Sequence, residues 1–297
     1  MDRLDALRLF CRVVETGSFS EAAREANLGQ PQVSRAVAAL EQRWGATLLQ
    51  RSTRKLSLTE VGRRVYEQAR ELLQQHEELE AAALGGDREP VGLLRVSASI
   101  AFARSEIVPH VPAFLAAYPH VKLDLQTHDD RIDVVAEGVD LAFRLGPLDD
   151  SSLTARRIRG YRRQAVAAPT YLKKAGAPAE PQDLAGHQCV VFTTTVHRHR
   201  WVFAKGRRRE EVEVGGMVSA SSGRVLTDLV KLGCGVAFGP SFLFRQGLAT
   251  GSLAPVLPDW SGPPLELHAL WPRRELPRKG RVFLDFMLPR LAATLDG

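Results

Sequence analysis

Two helical patterns separated by only three residues constrain this chain more than anything else in it. The first opens at Ser18, which can cap it with Glu21 three residues on. It sets Phe19, Ala22, Ala23 and Ala26 on one face, and its alanines let another helix pack close. The second, QPQVSRAVAALEQRW, carries Val33, Val37, Leu40 and Trp44 as an inward stripe and stops at Gly45. The link is Asn27-Leu28-Gly29. A link this short forces a corner. Asn27 tolerates the left-handed backbone such a turn demands, and Leu28 plugs it. Gly29 is an acceptable N-cap, and Pro31 suits a first turn in which its missing N–H has no intrahelical partner.

The second helix begins with Gln30, Gln32, Ser34 and Arg35 turned away from its packing stripe. A helix of this size fits the major groove of B-DNA, where Gln pairs with adenine, Arg with guanine, and Ser with a base edge or a phosphate. Its N-terminus favours a phosphate. The pattern is that of a helix-turn-helix facing duplex DNA; the alternative is an αα-corner with a solvated polar face. Leu48-Leu49 and 56–58 are short strand candidates flanking a turn, a two-stranded wing with Arg51, Arg54 and Lys55 available for backbone phosphates.

From Thr59 an amphipathic pattern of Val61, Val65, Ala69, Leu72, His76, Leu79 and Ala83 runs for about 26 residues, a rod of roughly 39 Å. A rod has no core of its own, so it must pair; Val65, Leu72 and Leu79 are the candidate dimer contacts. Beyond the breakers at 85–92, strands and helices alternate, which argues for α/β sheets. Strands are expected at LLRVSAS, VKLDLQT, DLAFRLG, ARRIRGYRRQAVAA, QCVVFTT, WVFA, EEVEVGG, GVAFGP and PLELHALW, and helices over 105–118, 132–137, 223–231 and 281–295.

The chain of 297 residues is 44% hydrophobic and 25% charged, with formal net charge +6, a globular composition. Residues 1–64 hold 11 Lys and Arg against 7 Asp and Glu, so the basic excess includes the segment expected to meet DNA. No apolar run is long enough for a membrane span, and the acid-containing N-terminus does not read as a signal peptide. Three scattered cysteines, Cys11, Cys189 and Cys234, suit a reducing cytoplasm.

The segment SFSEAAREANLGQPQVSRAVAALEQRWGATLLQRSTRKLSLTEVG resembles the N-terminal domain of LysR-type transcriptional regulators, and LLRVSAS, DLAFRLGPLDDSSLTARRI and GVAFGPSFL extend the resemblance along the chain. It implies a winged helix-turn-helix (1–62, with the helix-turn-helix about 19–38) and a dimerising linker helix (59–86). A two-lobed α/β effector domain of the type II periplasmic-binding-protein kind (92–297) follows. Lobe one is expected at about 92–162 and 268–297, and lobe two at about 163–267. The family's reading positions fall on Gln30, Pro31, Gln32, Ser34 and Arg35, and its wing contacts on Arg51 and Arg54. The implied partners are promoter DNA, a small-molecule effector and further copies of the chain in a dimer or tetramer, with RNA polymerase as another candidate. The family usually has Ser or Thr where Gly29 stands.

Ligands of open α/β sheets sit at the carboxyl ends of strands beside helix starts. The candidates are Ser97, Ser99, Phe102, Thr127, Arg144, Thr193, Ser221 and Ser222. Hydroxyls and free amides at helix starts suit an anionic effector, with Arg144 as a clamp; a helix cap is the alternative for each hydroxyl, and an internal ion pair for Arg144. His197 and His199 lack companion ligands for a metal, and flanking Arg198 and Arg200 repel cations. Nucleophile and phosphate-loop motifs are missing, so neither catalysis nor a cofactor is expected. The rival readings are a solute-binding or enzymatic α/β protein with a vestigial DNA-binding head, and a regulator that is ligand-independent or under thiol-redox control.

Overall fold

The computed structural model describes residues 2–51, 56–83, 89–130, 133–148, 153–193, 199–272 and 275–293. The chain divides into two compact units, Met1–Glu89 and Pro90–Gly297.

In the first unit α1 (Arg3–Thr16), α2 (Phe19–Glu25) and α3 (Gln30–Trp44) precede strands β1 (Leu49–Arg51) and β2 (Leu56–Leu58) and the long α4 (Glu60–Ala83). Gly17 and Gly45 end their helices at φ 65° and 61°, and Asn27 takes φ 53° in the corner, as its short polar side chain allows. Ser18 accepts from the Glu21 N–H at 3.3 Å. Phe10 and Val13 of α1, Ala22 and Ala23 of α2, and Val33, Ala36, Val37 and Leu40 of α3 are buried together with Tyr66, Ala69 and Leu73 of α4. Three expectations need correction. Trp44 is 44% exposed, because α3 outruns the core at its last turn and Ala36 takes the fourth inward place. Leu28 is 37% exposed and covers the corner rather than plugging it. Ala26 caps α2 and is exposed.

The apolar stripe of α4 also divides. Tyr66, Ala69 and Leu73 form the buried face, with the Tyr66 ring edge-on to Phe10 at 6.5 Å, while Leu72 and Leu79 are 47% and 68% exposed. The wing pairs Leu49 with Leu58 and Arg51 with Leu56; Arg54 and Lys55 lie outside the described residues.

The second unit carries β3 (Gly92–Ala98), α5 (Ile100–Phe102), α6 (Val111–Ala117), β4 (Val121–Thr127), β5 (Leu141–Leu145), β6 (Thr154–Ala167) and α7 (Pro169–Ala175). Then come β7 (Val191–Phe192), β8 (Arg200–Lys205), β9 (Arg208–Glu213), β10 (Ser219–Ala220), α8 (Gly223–Lys231), β11 (Val236–Pro240) and α9 (Ser241–Ala249). The chain closes with β12 (Ala254–Val256), β13 (Gly262–Trp271) and α10 (Arg278–Ala293). One sheet runs β11-β6-β13-β5-β3-β4, with β12 also on β6. Its β3, β4 and β5 are parallel, and β13 is antiparallel to both β5 and β6. The long β6 and β13 thus pass from the parallel half into the half built of β11 and β12.

The helix expected over 105–118 starts at Ile100 and is not one regular helix: a π turn over Ala103–Ile107 and a 3-10 turn over Val108–His110 join α5 to α6. The irregularity falls where Pro109 and Pro112 remove two backbone donors. In the segment expected as a helix over 132–137, the described residues form a turn, with Asp133 accepting from the Val135 and Ala136 N–H groups and Gly138 closing it at φ 68°. Helix α9 was not anticipated from the sequence.

Candidate DNA-reading surface and effector site

The first turn of α3 is exposed at Gln30, Pro31, Gln32 and Arg35 and half-buried at Ser34. The inward stripe of Val33, Ala36, Val37 and Leu40 turns these polar groups outward. Gln32 and Arg35 already make bonds within the turn. Gln32 Oε1 accepts from the Gly29 N–H at 2.9 Å, and Arg35 Nε donates to the Pro31 carbonyl at 3.3 Å. The arginine bond uses Nε, so the Nη pair that would meet a guanine is not part of it.

A residue absent from the sequence reading fixes the wing to this helix. Glu41, near the end of α3, accepts through Oε1 from the N–H groups of Leu48 and Leu49 at 2.8 and 3.1 Å. Behind them Thr59 Oγ1 donates to the Thr47 carbonyl at 2.7 Å and accepts from the Gly62 N–H at 2.8 Å, and the Thr59 N–H bonds the Leu48 carbonyl. A Cβ on Gly62 would stand 2.0 Å from the Leu48 oxygen, so only glycine permits α4 to start against the strand. Glu41 showed no signal in the sequence because it looks like any helix-surface acid; its partners are backbone groups.

In the second unit Ser97, Ser99, Thr127 and Arg144 come together at adjacent ends of β3, β4 and β5, with Ala98 beside Thr127 in register and Arg144 Nη2 donating to Ser97 Oγ at 3.3 Å. Ser97 is buried, Ser99 half-buried and Thr127 exposed. A second group forms where the Thr193 N–H bonds the Ala220 carbonyl, followed by Ser221 and by Ser222 at the N-cap of α8. The two groups meet at their helix starts: a Cβ on Gly223 would lie 3.3 Å from that of Ala101.

The site departs from expectation in two respects. Phe102 does not line it. That side chain is 1% exposed, stacked among Phe143, Tyr161 and Phe242, because the early start of α5 turns it into the core. Nor are two of the three amides of α5 free: Asp129 Oδ1 accepts from the Ile100 N–H at 3.2 Å, and Ser99 Oγ accepts from the Phe102 N–H at 3.4 Å. Ser222, by contrast, makes no side-chain cap bond on α8. His197 lies outside the described residues, and among those described no group of three or more His, Cys, Asp or Glu can hold a metal. Nor is any described helix long and apolar enough to cross a membrane.

Buried charge also joins the two halves of the sheet. Glu106, on the π turn, accepts from Arg245 Nη1 of α9 at 2.8 Å, from Ser105 Oγ at 2.9 Å and from the Tyr161 hydroxyl of β6 at 3.1 Å. Burial and the neighbouring Glu106 carboxylate hold the Tyr161 hydroxyl well above its usual range, so it stays a donor. Burial pushes the Cys189 thiol up to about 12, far from a reactive thiolate.

The Glu41 bonds make a direct expectation. Glu41→Ala leaves two backbone donors without their acceptor, and it should weaken binding to all duplexes by about 1–3 kcal/mol. Glu41→Gln, which keeps an acceptor oxygen, should recover most of the loss. Fluorescence anisotropy with a duplex checks this; equal defects in both variants would remove Glu41 from the wing's support.

Two family models match the chain. "Bacterial regulatory helix-turn-helix protein, lysR family" covers residues 4–63 and "LysR substrate binding domain" covers residues 87–292. The regulator CrgA of Neisseria meningitidis serogroup C is 35% identical over 295 residues, 99% of this chain and 98% of that one. The activator AaeR of Escherichia coli is 29% identical over 286 residues, 96% and 93% of the two chains. Among solved structures, CrgA, described as a LysR-type transcriptional regulator from Neisseria meningitidis, superposes with a TM-score of 0.63 at 35% identity, covering 97% of this chain and 98% of that one. The full-length Vibrio cholerae virulence activator AphB gives 0.58 at 30% identity, covering 97% and 99%. A reading helix buttressed by a wing, followed by an α/β domain and matched along its whole length, identifies this chain as a DNA-binding transcriptional regulator of the LysR family.

Proposed function

We propose that this regulator reads promoter DNA in the cytoplasm through Gln30, Pro31, Gln32, Ser34 and Arg35, with Arg51, Arg54 and Lys55 of the wing on phosphates. The observation that carries the reading is the outward polar first turn of α3, a helix whose other end Glu41 bonds to the wing. Arg35→Ala should lose about 1–3 kcal/mol of discrimination between the preferred operator and a single-base variant, whereas Arg51→Ala should weaken all sequences alike and flatten the salt dependence. Binding titrations at several salt concentrations check this. A change of base preference in Arg51→Ala with none in Arg35→Ala would reverse the assignment.

Pairing of copies, as a homodimer or homotetramer, goes to α4. Val65, Leu72 and Leu79 repeat every seven residues, the spacing of a helical seam, and Leu72 and Leu79 stand exposed in the single chain. Replacing both leucines by Asp would bury charge in such a seam. Sedimentation should then show smaller species and operator affinity should fall; an unchanged assembly would place the interface elsewhere.

The effector is a small molecule bound among Ser97, Ser99, Thr127, Arg144, Thr193, Ser221 and Ser222, and its anionic end goes to the start of α8. The support is the unoccupied cap at Ser222, together with Asp129, whose carboxylate already holds the Ile100 amide and would repel a second anion there. Its binding favours one arrangement of the lobes and so changes promoter output, with RNA polymerase as the downstream partner. A thermal-shift screen of small organic acids should give a hit, since a ligand at a hundredfold excess over Kd stabilises by about 2.7 kcal/mol. That hit should weaken in Ser222→Ala and Arg144→Ala; a shift undiminished in both would place the site elsewhere.

A further inference from the structure

An amide side chain that reads adenine uses both ends at once: its oxygen accepts from N6–H while its nitrogen donates to N7. Gln32 stands at the third position of α3 with its oxygen already engaged, because Oε1 accepts from the Gly29 N–H at 2.9 Å. The bond is local. It spans three residues in the first turn, and Gly29, with no side chain of its own, leaves Gln32 to hold the helix start closed. The bond also orients the amide. With Oε1 held toward the N-cap and one of its two lone pairs used, the amide end favoured for DNA is Nε2, which only donates. In the major groove guanine offers two adjacent acceptors, N7 and O6, whereas adenine sets the N6 donor beside N7 and cytosine offers a donor alone.

We propose that Gln32 reads its base pair as a donor only, selecting guanine over adenine, because the Gly29 N–H holds its oxygen. This rests on the placement of Gln32 among the DNA-reading residues of α3. Specificity at that base pair is then set by a backbone group that never touches the DNA.

The backbone of Gly29 itself accommodates removal of its N–H, and the residue that a proline there restricts in turn is Leu28. Gly29 sits at φ −75° and ψ 140°, a conformation open to proline, and a Cβ there would meet nothing closer than Gln32 Oε1 at 3.5 Å and the Pro31 ring at 3.7 Å. Gly29→Pro deletes the donor and releases the Gln32 amide to pair at both ends.

The experiment is selection from a random duplex library with the full-length protein and with its Gln32→Ala and Gly29→Pro variants, each first checked for a cooperative thermal transition. The position whose preference vanishes in Gln32→Ala should hold a G·C pair in the wild type, at least about fivefold over A·T. In Gly29→Pro the same position should turn to A·T. An A·T preference at that position in the wild type overturns the proposal, as does a Gln32→Ala profile identical to the wild type. A folded Gly29→Pro that keeps the G·C preference removes the control by Gly29. If Gly29→Pro does not fold, the wild-type and Gln32→Ala profiles decide between guanine and adenine on their own. A wild-type protein that enriches no sequence removes the DNA-reading assignment itself, and the proposal with it, an outcome distinct from enrichment that ignores Gln32.

Discussion

Leu48 is the residue on which the geometry of the head depends. Its N–H goes to Glu41 at the end of the reading helix, its carbonyl accepts from Thr59 at the start of the long helix, and its backbone lies so close to Gly62 that a methyl group there has no room. Its side chain is fully buried in the head's core. Reading helix, wing and rod therefore meet at one backbone segment. A two-stranded wing of three residues per strand is too small to be stable alone. It persists because its polar backbone groups are satisfied from both sides, and an unsatisfied one would cost about 1–3 kcal/mol.

The second unit is organised around a different constraint, a carboxylate with only 2% exposure. Glu106 is tolerable there because Arg245, Ser105 and Tyr161 all donate to it. Its donors come from α9, from its own helix and from β6, so it ties the helix that starts at the candidate effector site to the far half of the sheet. Only the carboxylate is buried, the Arg245 side chain being 39% exposed, so losing Arg245 leaves Glu106 with two hydroxyl donors and costs less than the ~3–5 kcal/mol of breaking a fully buried pair. The π turn that carries Glu106 is the local adjustment that accommodates Pro109 and Pro112 while keeping the helix continuous.

What was legible in the sequence shares a physical character: it was local. Asn27, Gly17 and Gly45 adopt the left-handed backbone that their residue types favour. Helix α8 spans Gly223–Lys231 as its periodicity implied, and β2 matches the strand expected over 56–58, while β1 starts at Leu49 and runs two residues past the expected Leu48-Leu49. What was not legible depended on partners distant in sequence or on backbone groups, which carry no residue code. Glu41 and Asp129 are ordinary surface acids until the fold brings N–H groups to them. Phe102 reads as a pocket aromatic when the helix is expected from residue 105; starting five residues earlier, at Ile100, puts it among Phe143, Tyr161 and Phe242. The turn after residue 132 reads as helical in its spacing, yet Asp133 and Gly138 close it after one turn.

The apolar stripe of the long helix is only partly used by the fold. Spacings of three and four residues do not distinguish a face that packs within the chain from one that the chain leaves exposed. In α4 the two are neighbouring faces of one cylinder: Tyr66, Ala69 and Leu73 complete the head's core, while Leu72 and Leu79, seven residues apart, remain in the open. Leu72 and Leu79, 47% and 68% exposed, forfeit roughly half of the ~1.5–3 kcal/mol that full burial of each would contribute, which would favour pairing. Because the buried face shares the helix with the open one, contacts made by a second copy along Leu72 and Leu79 would bear on the same element that Thr59 and Gly62 lock to the wing.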